Sequence, residues 1–243
     1  MKKAIGYVYV IAAAVCWGFL GLFNRVLTAA GVSLLNMMPL RFGGTAILFT
    51  VFCMMFKQQV FHIKLRHLPI FLGSGLISML LVLCGCALVS GIVGSDVGIS
   101  LEGLLMGLAS ELCYGGYTIF THYGMRYCDS FTMAYWTFLI AGLASLFLAD
   151  GPALLSALAE PRTGLAALGL MVMGTALPFT LYTKGLETVE SGKAAIIANI
   201  EPVMSAVIGV TVFQETLGLW TLVGIVLVLS GVVVLACEKE PDK

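Results

Sequence analysis

Charge is what this 243-residue chain has least of: Asp, Glu, Lys and Arg together make up 11% of it. Soluble domains carry about 25%. The 13 basic and 13 acidic residues cancel, so there is no concentrated positive surface of the kind nucleic acid needs. Chemical motifs are also missing. No HExxH pair, Gly-rich phosphate loop, GxSxG elbow or paired metal-ligand spacing occurs, so the chain reads as no enzyme, with no metal and no cofactor. No CxxC pair occurs among the seven cysteines, and Cys84 and Cys86, two apart, fall on different faces of a helix. They read as small apolar packing residues. His62 and His67 fall in a basic loop, and His122 at a helix end.

What the chain has in excess is apolar surface: 60% hydrophobic residues and a mean hydropathy of +1.02. A water-soluble fold of this size could not hide so much. The chain belongs in a lipid bilayer as a helical bundle, because there every backbone polar group must find an internal partner. Residues 4–24 carry no charge and are long enough to span, and no small-residue cleavage site follows them; they read as a first span, not a removable signal.

Spanning helices need about 20 apolar residues. Eight segments qualify: 4–27, 34–56, 68–93, 99–121, 131–149, 163–183, 194–213 and 217–237. With the N-terminus inside, Lys2, Lys3, Lys57, Lys64, Arg66, Arg126, Lys184, Lys193, Lys239 and Lys243 all fall on the cytoplasmic side, and only Arg162 falls outside. Positively charged loops stay cytoplasmic, so both termini are expected there, and an even number of crossings follows.

The chain also repeats itself. "AAAVCWGFLGLF" (12–23) lies over "ASELCYGGYTIF" (109–120) at an offset of 97, pairing Ala12 with Ala109, Cys16 with Cys113, Trp17 with Tyr114, Gly18 with Gly115 and Phe23 with Phe120. "LGSGL" (72–76) then fits "MGTAL" (173–177) at 101, and "LVLCG" (81–85) fits "LVLSG" (227–231) at 146. The step between the last two offsets leaves about 45 residues of the second copy, roughly 178–224, without a counterpart in the first. Segment 68–93 then joins the start of one ancestral helix to the end of another, two crossings further on. The expected fold is an all-α integral membrane protein with eight transmembrane helices, three in a first, incomplete repeat (1–95) and five in a second (96–243). Both numbers are odd, so the copies point in opposite directions, as in many transporters.

These residues resemble the EamA family of the drug/metabolite transporter superfamily, over nearly the whole chain. The marks are "CWGFLGLFNR" (16–25), "PLRF" (39–42), "ESGKAAIIANIEPVMSAVIGVTVFQET" (190–216) and "LVGIVLVLSGVVVL" (222–235). The resemblance implies a ten-helix EamA-type bundle of two inverted five-helix repeats, from which this chain derives by the internal deletion. It implies a secondary transporter of small organic metabolites, of the proton-coupled export kind, in the bacterial inner (cell) membrane. Lipid bilayer and a small-molecule substrate would be its partners. In the family the third and fourth helices help wall the central cavity. The alternative is therefore a transport-deficient remnant that inserts without a complete cavity, or one that needs a homodimer to close it.

Candidate cavity residues follow from position. Arg41 lies about 10 Å into its span at helical rise, and intramembrane charge is costly unless paired or hydrated; an ion pair or snorkelling is the structural alternative. Arg25, at a helix end, snorkels easily, and Glu215 reads as solvated or a cap. Glu111 falls mid-span, with Tyr114 and Thr118 on its face at i+3 and i+7 and Gly115 at i+4. Glu201 and Pro202 sit near the middle of their span, where proline frees a backbone carbonyl. Trp17, Tyr114, Tyr117 and Trp136 can line a cavity for organic substrates, or can simply pack. Gly103 and Gly107 form a GxxxG pair suited to close helix contact.

Overall fold

Inside a bilayer a helix satisfies its own backbone, and the computed structural model, which describes residues 2–63, 67–89 and 101–237, is helical almost throughout, with no strand among the described residues. The helices are α1 (Lys2–Gly18), α2 (Leu20–Ala29), α3 (Leu34–Met38), α4 (Gly44–Phe56), α5 (Leu68–Val89), α6 (Leu101–Gly124), α7 (Ser130–Ser145), α8 (Gly151–Leu158), α9 (Pro161–Met171), α10 (Leu177–Leu186), α11 (Ser191–Ala198), α12 (Ile200–Phe213) and α13 (Leu219–Cys237). Several are halves of one rod. Among the described residues, four rods are long and apolar enough to cross a membrane: Ala4–Ala29, Leu35–Phe56, Pro161–Leu186 and Ser191–Phe213. Shorter apolar helices cover Leu68–Ile77, Ser130–Ser145 and Leu222–Val232. The chain is thus an all-helical integral membrane protein. The segment at the suspected splice is a single helix over its described residues, 22 residues long, or about 33 Å; residues 90–93 lie outside the described part.

The breaks have local causes. Pro202 offers no amide to the carbonyl four residues back, and the rod breaks beside that carbonyl at Asn199, between α11 and α12. Pro39 opens a wide π turn, Pro39–Gly43, between α3 and α4. A second π turn, Val172–Ala176, precedes Pro178 in α10. The first rod breaks at Phe19, and the Gly18 carbonyl beside the break accepts a hydrogen bond from the Ser205 hydroxyl of α12 at 3.2 Å. Helix starts are capped as their sequences suggest: Ser33 accepts from the Asn36 amide at 3.2 Å, Asp129 from Thr132 at 3.4 Å, and Glu160 from Thr163 at 2.9 Å.

Helix α1 packs along α10 and against α11 and α12, and α5 packs along α6 and α7. Hydroxyls tie the rods together: Ser74 to Thr137 at 2.7 Å, and Thr45 to the Met171 carbonyl at 3.1 Å. Phe42, Phe49, Phe138, Trp17, Tyr117, Phe179 and Tyr182 form the middle of the core. Many large apolar side chains face outward, among them Phe147, Leu112, Leu165 and Ile47. That surface suits lipid and not water. Charged groups gather at the ends. Lys57 pairs with Asp129 at 3.6 Å at one end, where Lys184 pairs with Glu187 at 2.6 Å. At the other end Arg25 pairs with Glu215 and stacks over the Phe213 ring at 4.4 Å. Gln214 turns left-handed (φ 55°) to bring Glu215 there.

Candidate functional site

Three helices bring three of the eight candidate residues, Trp17, Tyr114 and Tyr117, together. On α6, Tyr114, Tyr117, Thr118 and Thr121 recur at i, i+3, i+4 and i+7, so they share one face. On α10, Phe179, Tyr182 and Thr183 do the same. Trp17 of α1 joins them. Its ring lies 5.0 Å from Phe179, 5.4 Å from Tyr182 and 6.3 Å from Tyr114. Tyr114 and Tyr182 are 6.0 Å apart, and Tyr117 meets Phe179 edge-on at 5.5 Å. The result is an aromatic box in the middle of the bundle.

The box carries polar atoms that the protein itself does not satisfy. Among the described residues, the buried side-chain polar atoms lacking a hydrogen-bond partner are Trp17 Nε1, the Tyr114 and Tyr117 hydroxyls, and the Thr121 and Thr183 hydroxyls. All five sit on α1, α6 and α10. Leaving a buried polar group unmade costs about 1–3 kcal/mol, so their concentration at one place points to a site filled by polar groups from outside the chain. The Tyr117 hydroxyl neighbours those of Thr121 and Thr183 without reaching bonding geometry with either. Tyr182 is satisfied, 3.2 Å from the Thr118 hydroxyl.

Charge borders the box on two sides. Half-buried Arg41 donates from Nε to the Thr175 hydroxyl at 3.2 Å, and its guanidinium lies 6.0 Å from the Phe179 ring and 5.7 Å from Phe42. Thr175 is held in turn by the Leu170 carbonyl at 2.9 Å. Both partners sit on π turns, which widen the helix and expose backbone and side chain to a neighbour. Glu201 stands half-buried in the first turn of α12, within electrostatic range of Tyr114.

Other candidates lie elsewhere. Trp136 donates its indole N–H to the Val60 carbonyl at 2.9 Å and packs on Phe71, beside the loop that follows α4 and away from Trp17. Pro202 is exposed on α12. Glu111 belongs to α6, one turn before Gly115, and its side chain lies outside the described part. Thr118 shares the face read for Glu111 and Tyr114; Phe179, Thr121, Tyr182 and Thr183 are not singled out by sequence, and their shared helix faces are the available signal. Among the described residues no group of three or more His, Cys, Asp or Glu is placed to hold a metal, and Cys16, Cys53, Cys113 and Cys128 are free thiols. A groove of about 260 Å³ between α4 and α7 is lined by Ile47, Val51, Leu143 and Leu146. It faces outward and contains none of the box residues.

Broken apolar rods around a polar-lined aromatic box, in a bundle with bilayer-facing sides, define the class as a helical integral membrane protein with a buried polar site. Residues 101–237 match the EamA-like transporter family, and the chain belongs to that family. It is 41% identical over 68 residues to an uncharacterized transporter of Archaeoglobus fulgidus, covering 28% of this chain and 25% of that one. To the uncharacterized transporter YwfM of Bacillus subtilis it is 26% identical over 174 residues, 70% of this chain and 57% of that protein. To the multidrug resistance protein EbrB of Bacillus atrophaeus it is 32% identical over 87 residues, 35% of this chain and 74% of that protein. The chain thus spans between a quarter and just over half of the length of the two uncharacterized transporters.

Proposed function

We propose that the protein is a secondary transporter that moves small organic solutes through the aromatic box of Trp17, Tyr114, Tyr117, Phe179 and Tyr182. The observation that carries this reading is the set of five unpartnered polar atoms on α1, α6 and α10. A solute with a flat apolar body stacks on the rings. Its hydrogen-bonding groups meet the Trp17 indole N–H, which can only donate, and the tyrosine hydroxyls, which can donate or accept. Arg41 and Glu201 at the borders select the solute's charge, and Glu111 is a further cavity candidate. No nucleotide motif is present, so the driving energy in this reading comes from a gradient, of protons first.

The architecture belonging to this reading is eight crossings in inverted repeats, three in 1–95 and five in 96–243, with both termini cytoplasmic in the bacterial inner membrane. Packing supports it. The repeat aligns α1 with α6 and the start of α5 with the second π turn and the start of α10, and the pairs α1–α10 and α5–α6 both pack lengthwise. Trp17 and its counterpart Tyr114 meet across the box, as equivalent residues near a local two-fold axis do.

The test is flux into proteoliposomes of purified protein across a panel of small organic solutes. Flux above empty liposomes, with Trp17→Phe weakening apparent affinity about 3–10-fold by loss of one hydrogen bond, supports the reading. Flux no greater than that of empty liposomes overturns it. The offset step of about 45 residues favours a second reading, a remnant that inserts but does not transport, or one that works only as a homodimer; cross-linking in membranes separates these last two.

A further inference from the structure

Polar side chains also gather at the rim of the bundle, where α6 ends and α5 begins. Helix α6 stops at Gly124, and the chain turns back on itself: the Arg126 amide donates to the Tyr123 carbonyl at 3.2 Å and the Tyr127 amide to the Gly124 carbonyl at 2.9 Å. A Cβ at position 124 would come within 2.6 Å of the Met133 Sδ and 3.1 Å of the Ile70 Cγ2. The glycine thus lets the start of α5 close on the turn. His67, the residue before α5, lays its ring 4.5 Å from that of Tyr127. The turn also folds Arg126 back, so that its guanidinium lies 5.3 Å from the centre of the Tyr123 ring. The Tyr123 and Tyr127 hydroxyls are 2.9 Å apart. Arg126, Tyr123 and Tyr127 are exposed, and His67 is half-buried.

Other cations at this end are matched: Lys57 is paired with Asp129, and Lys184 with Glu187. Among the described residues no carboxylate pairs with Arg126. An aromatic ring holds a guanidinium without neutralising it, so the charge is left for an anion from outside. The guanidinium fork matches two oxygens of one phosphate. The tyrosine pair adds a donor: when Tyr127 gives its proton to Tyr123, Tyr123 keeps its own for an incoming oxygen. The His67 imidazole carries an N–H in either neutral tautomer. What lies beneath the cluster is apolar. Leu112, Ile119 and Tyr123 fall at i, i+7 and i+11 on one face of α6, and both aliphatic side chains are exposed. From Leu112 to Tyr123 the helix rises about 16 Å, close to the roughly 15 Å of hydrocarbon in one leaflet. We propose that this rim binds one anionic phospholipid, its phosphate diester held by Arg126, Tyr123 and His67 and an acyl chain laid along Ile119 and Leu112. Basic groups between transmembrane helices recognise headgroups in this way. Net charge makes the choice, because a zwitterionic headgroup brings its own cation and Arg126 stands without the carboxylate that would receive it. The site lies apart from the aromatic box and holds whether or not the box carries a solute.

The experiment counts retained lipid. Full-length protein is purified in a mild detergent carrying equal amounts of phosphatidylglycerol and phosphatidylcholine, and the lipids that stay bound are read by native mass spectrometry. One phosphatidylglycerol is expected on the parent, in about tenfold preference to phosphatidylcholine, the worth of one charge-assisted contact. Arg126→Gln is expected to abolish the preference, and Tyr123→Phe, which keeps the ring under Arg126, to weaken it about 3–10-fold. Lys184→Gln removes the same charge from the same end and is expected to leave the preference intact. Equal retention of the two lipids by the parent, an Arg126→Gln protein as selective as the parent, or an equal loss in Lys184→Gln would each overturn the site. Where Arg126→Gln does not fold, a Tyr123→Phe protein as selective as the parent overturns it instead. Lipid-free dimers would assign the apolar strip to a second copy and overturn it as well.

Discussion

The most direct test of the repeat is a pair of glycines that it treats as equal. Gly18 of α1 and Gly115 of α6 align at the offset of 97, but their surroundings differ. A Cβ on Gly18 would come within 2.4 Å of the Met204 Cβ, 3.2 Å of the Met204 carbonyl carbon and 3.3 Å of the Ser205 nitrogen. Comfortable carbon–carbon contact is about 3.5–4.0 Å, so α12 would have to retreat by about an ångström, and no rotamer relieves it because the atoms met are backbone or Cβ. Overpacking of this kind costs about 1–3 kcal/mol, and the retreat also loosens the Ser205 bond to the Gly18 carbonyl. A Cβ on Gly115 meets nothing within 4 Å among the described residues. There Gly→Ala should gain about 0.5–1 kcal/mol of helix propensity. The two substitutions should act in opposite directions and differ by about 1.5–4 kcal/mol. For a chain of this length that separates the two midpoints by roughly 3–16 °C, readable as loss of helical circular dichroism in detergent. Equal destabilisation by both would refute the reasoning, since it would mean that a helix covers Gly115 as α12 covers Gly18. If Gly115→Ala is harmless in detergent monomers but costly in membranes, a second copy covers that face.

Three further outcomes follow from the ends of the bundle. Burial pushes the Asp129 carboxyl upward, but the Thr132 hydroxyl, Lys57 and the Thr132 and Phe131 amides outweigh it and hold the group below its ordinary value. Its contribution is therefore present above the ordinary carboxylate range and lost as pH falls through the lowered value. Asp129→Ala should cost about 1 kcal/mol at neutral pH by loss of a helix cap, and the gap between it and the parent should close in acid, followed by thermal unfolding from pH 7 downward. Arg25→Ala breaks the pair with Glu215, whose partners are each about half exposed; a loss below about 1 kcal/mol that shrinks in high salt is expected, and a salt-independent loss would refute a half-exposed pair. Trp136→Phe should lower stability by about 1 kcal/mol through the orphaned Val60 carbonyl while leaving the solute affinity of the box unchanged in a binding titration, because its ring points away from Trp17.

Helix identity and most rod ends were legible because apolar run length and proline are local signals. Segment 34–56 differs by one residue from the Leu35–Phe56 rod, and Pro202 marks a break that falls at Asn199. Facing was harder to read. Apolar helices with little amphipathic contrast do not announce which side packs inward. Trp136 is the clearest case. It was a natural cavity candidate as a mid-chain aromatic, yet α7 turns it toward Phe71 and the Val60 carbonyl. Trp17 and Tyr114 could be paired from sequence because the repeat aligns them. The α10 face of Phe179, Tyr182 and Thr183 could not, because the first copy has no complete counterpart against which to read it.

That missing counterpart bears on mechanism as well as on legibility. Helix α1 is flanked by α10 along one side and by α12 across Gly18. Helix α6 packs along α5 and also touches α10 and α11, and Leu108, Leu112 and Ile119 are exposed. The aromatic box is built from α1, α6 and α10, so its walls on the α1 side are braced by α12 through Ser205, while the α6 wall is braced by fewer partners. A rocking motion of the two copies would then be uneven, with α6 moving most easily. Tyr114, Tyr117, Thr118 and Thr121 all ride on that helix. Under the proposed transporter reading, opening and closing of the site reduces to displacement of α6 against the α1–α10–α12 block.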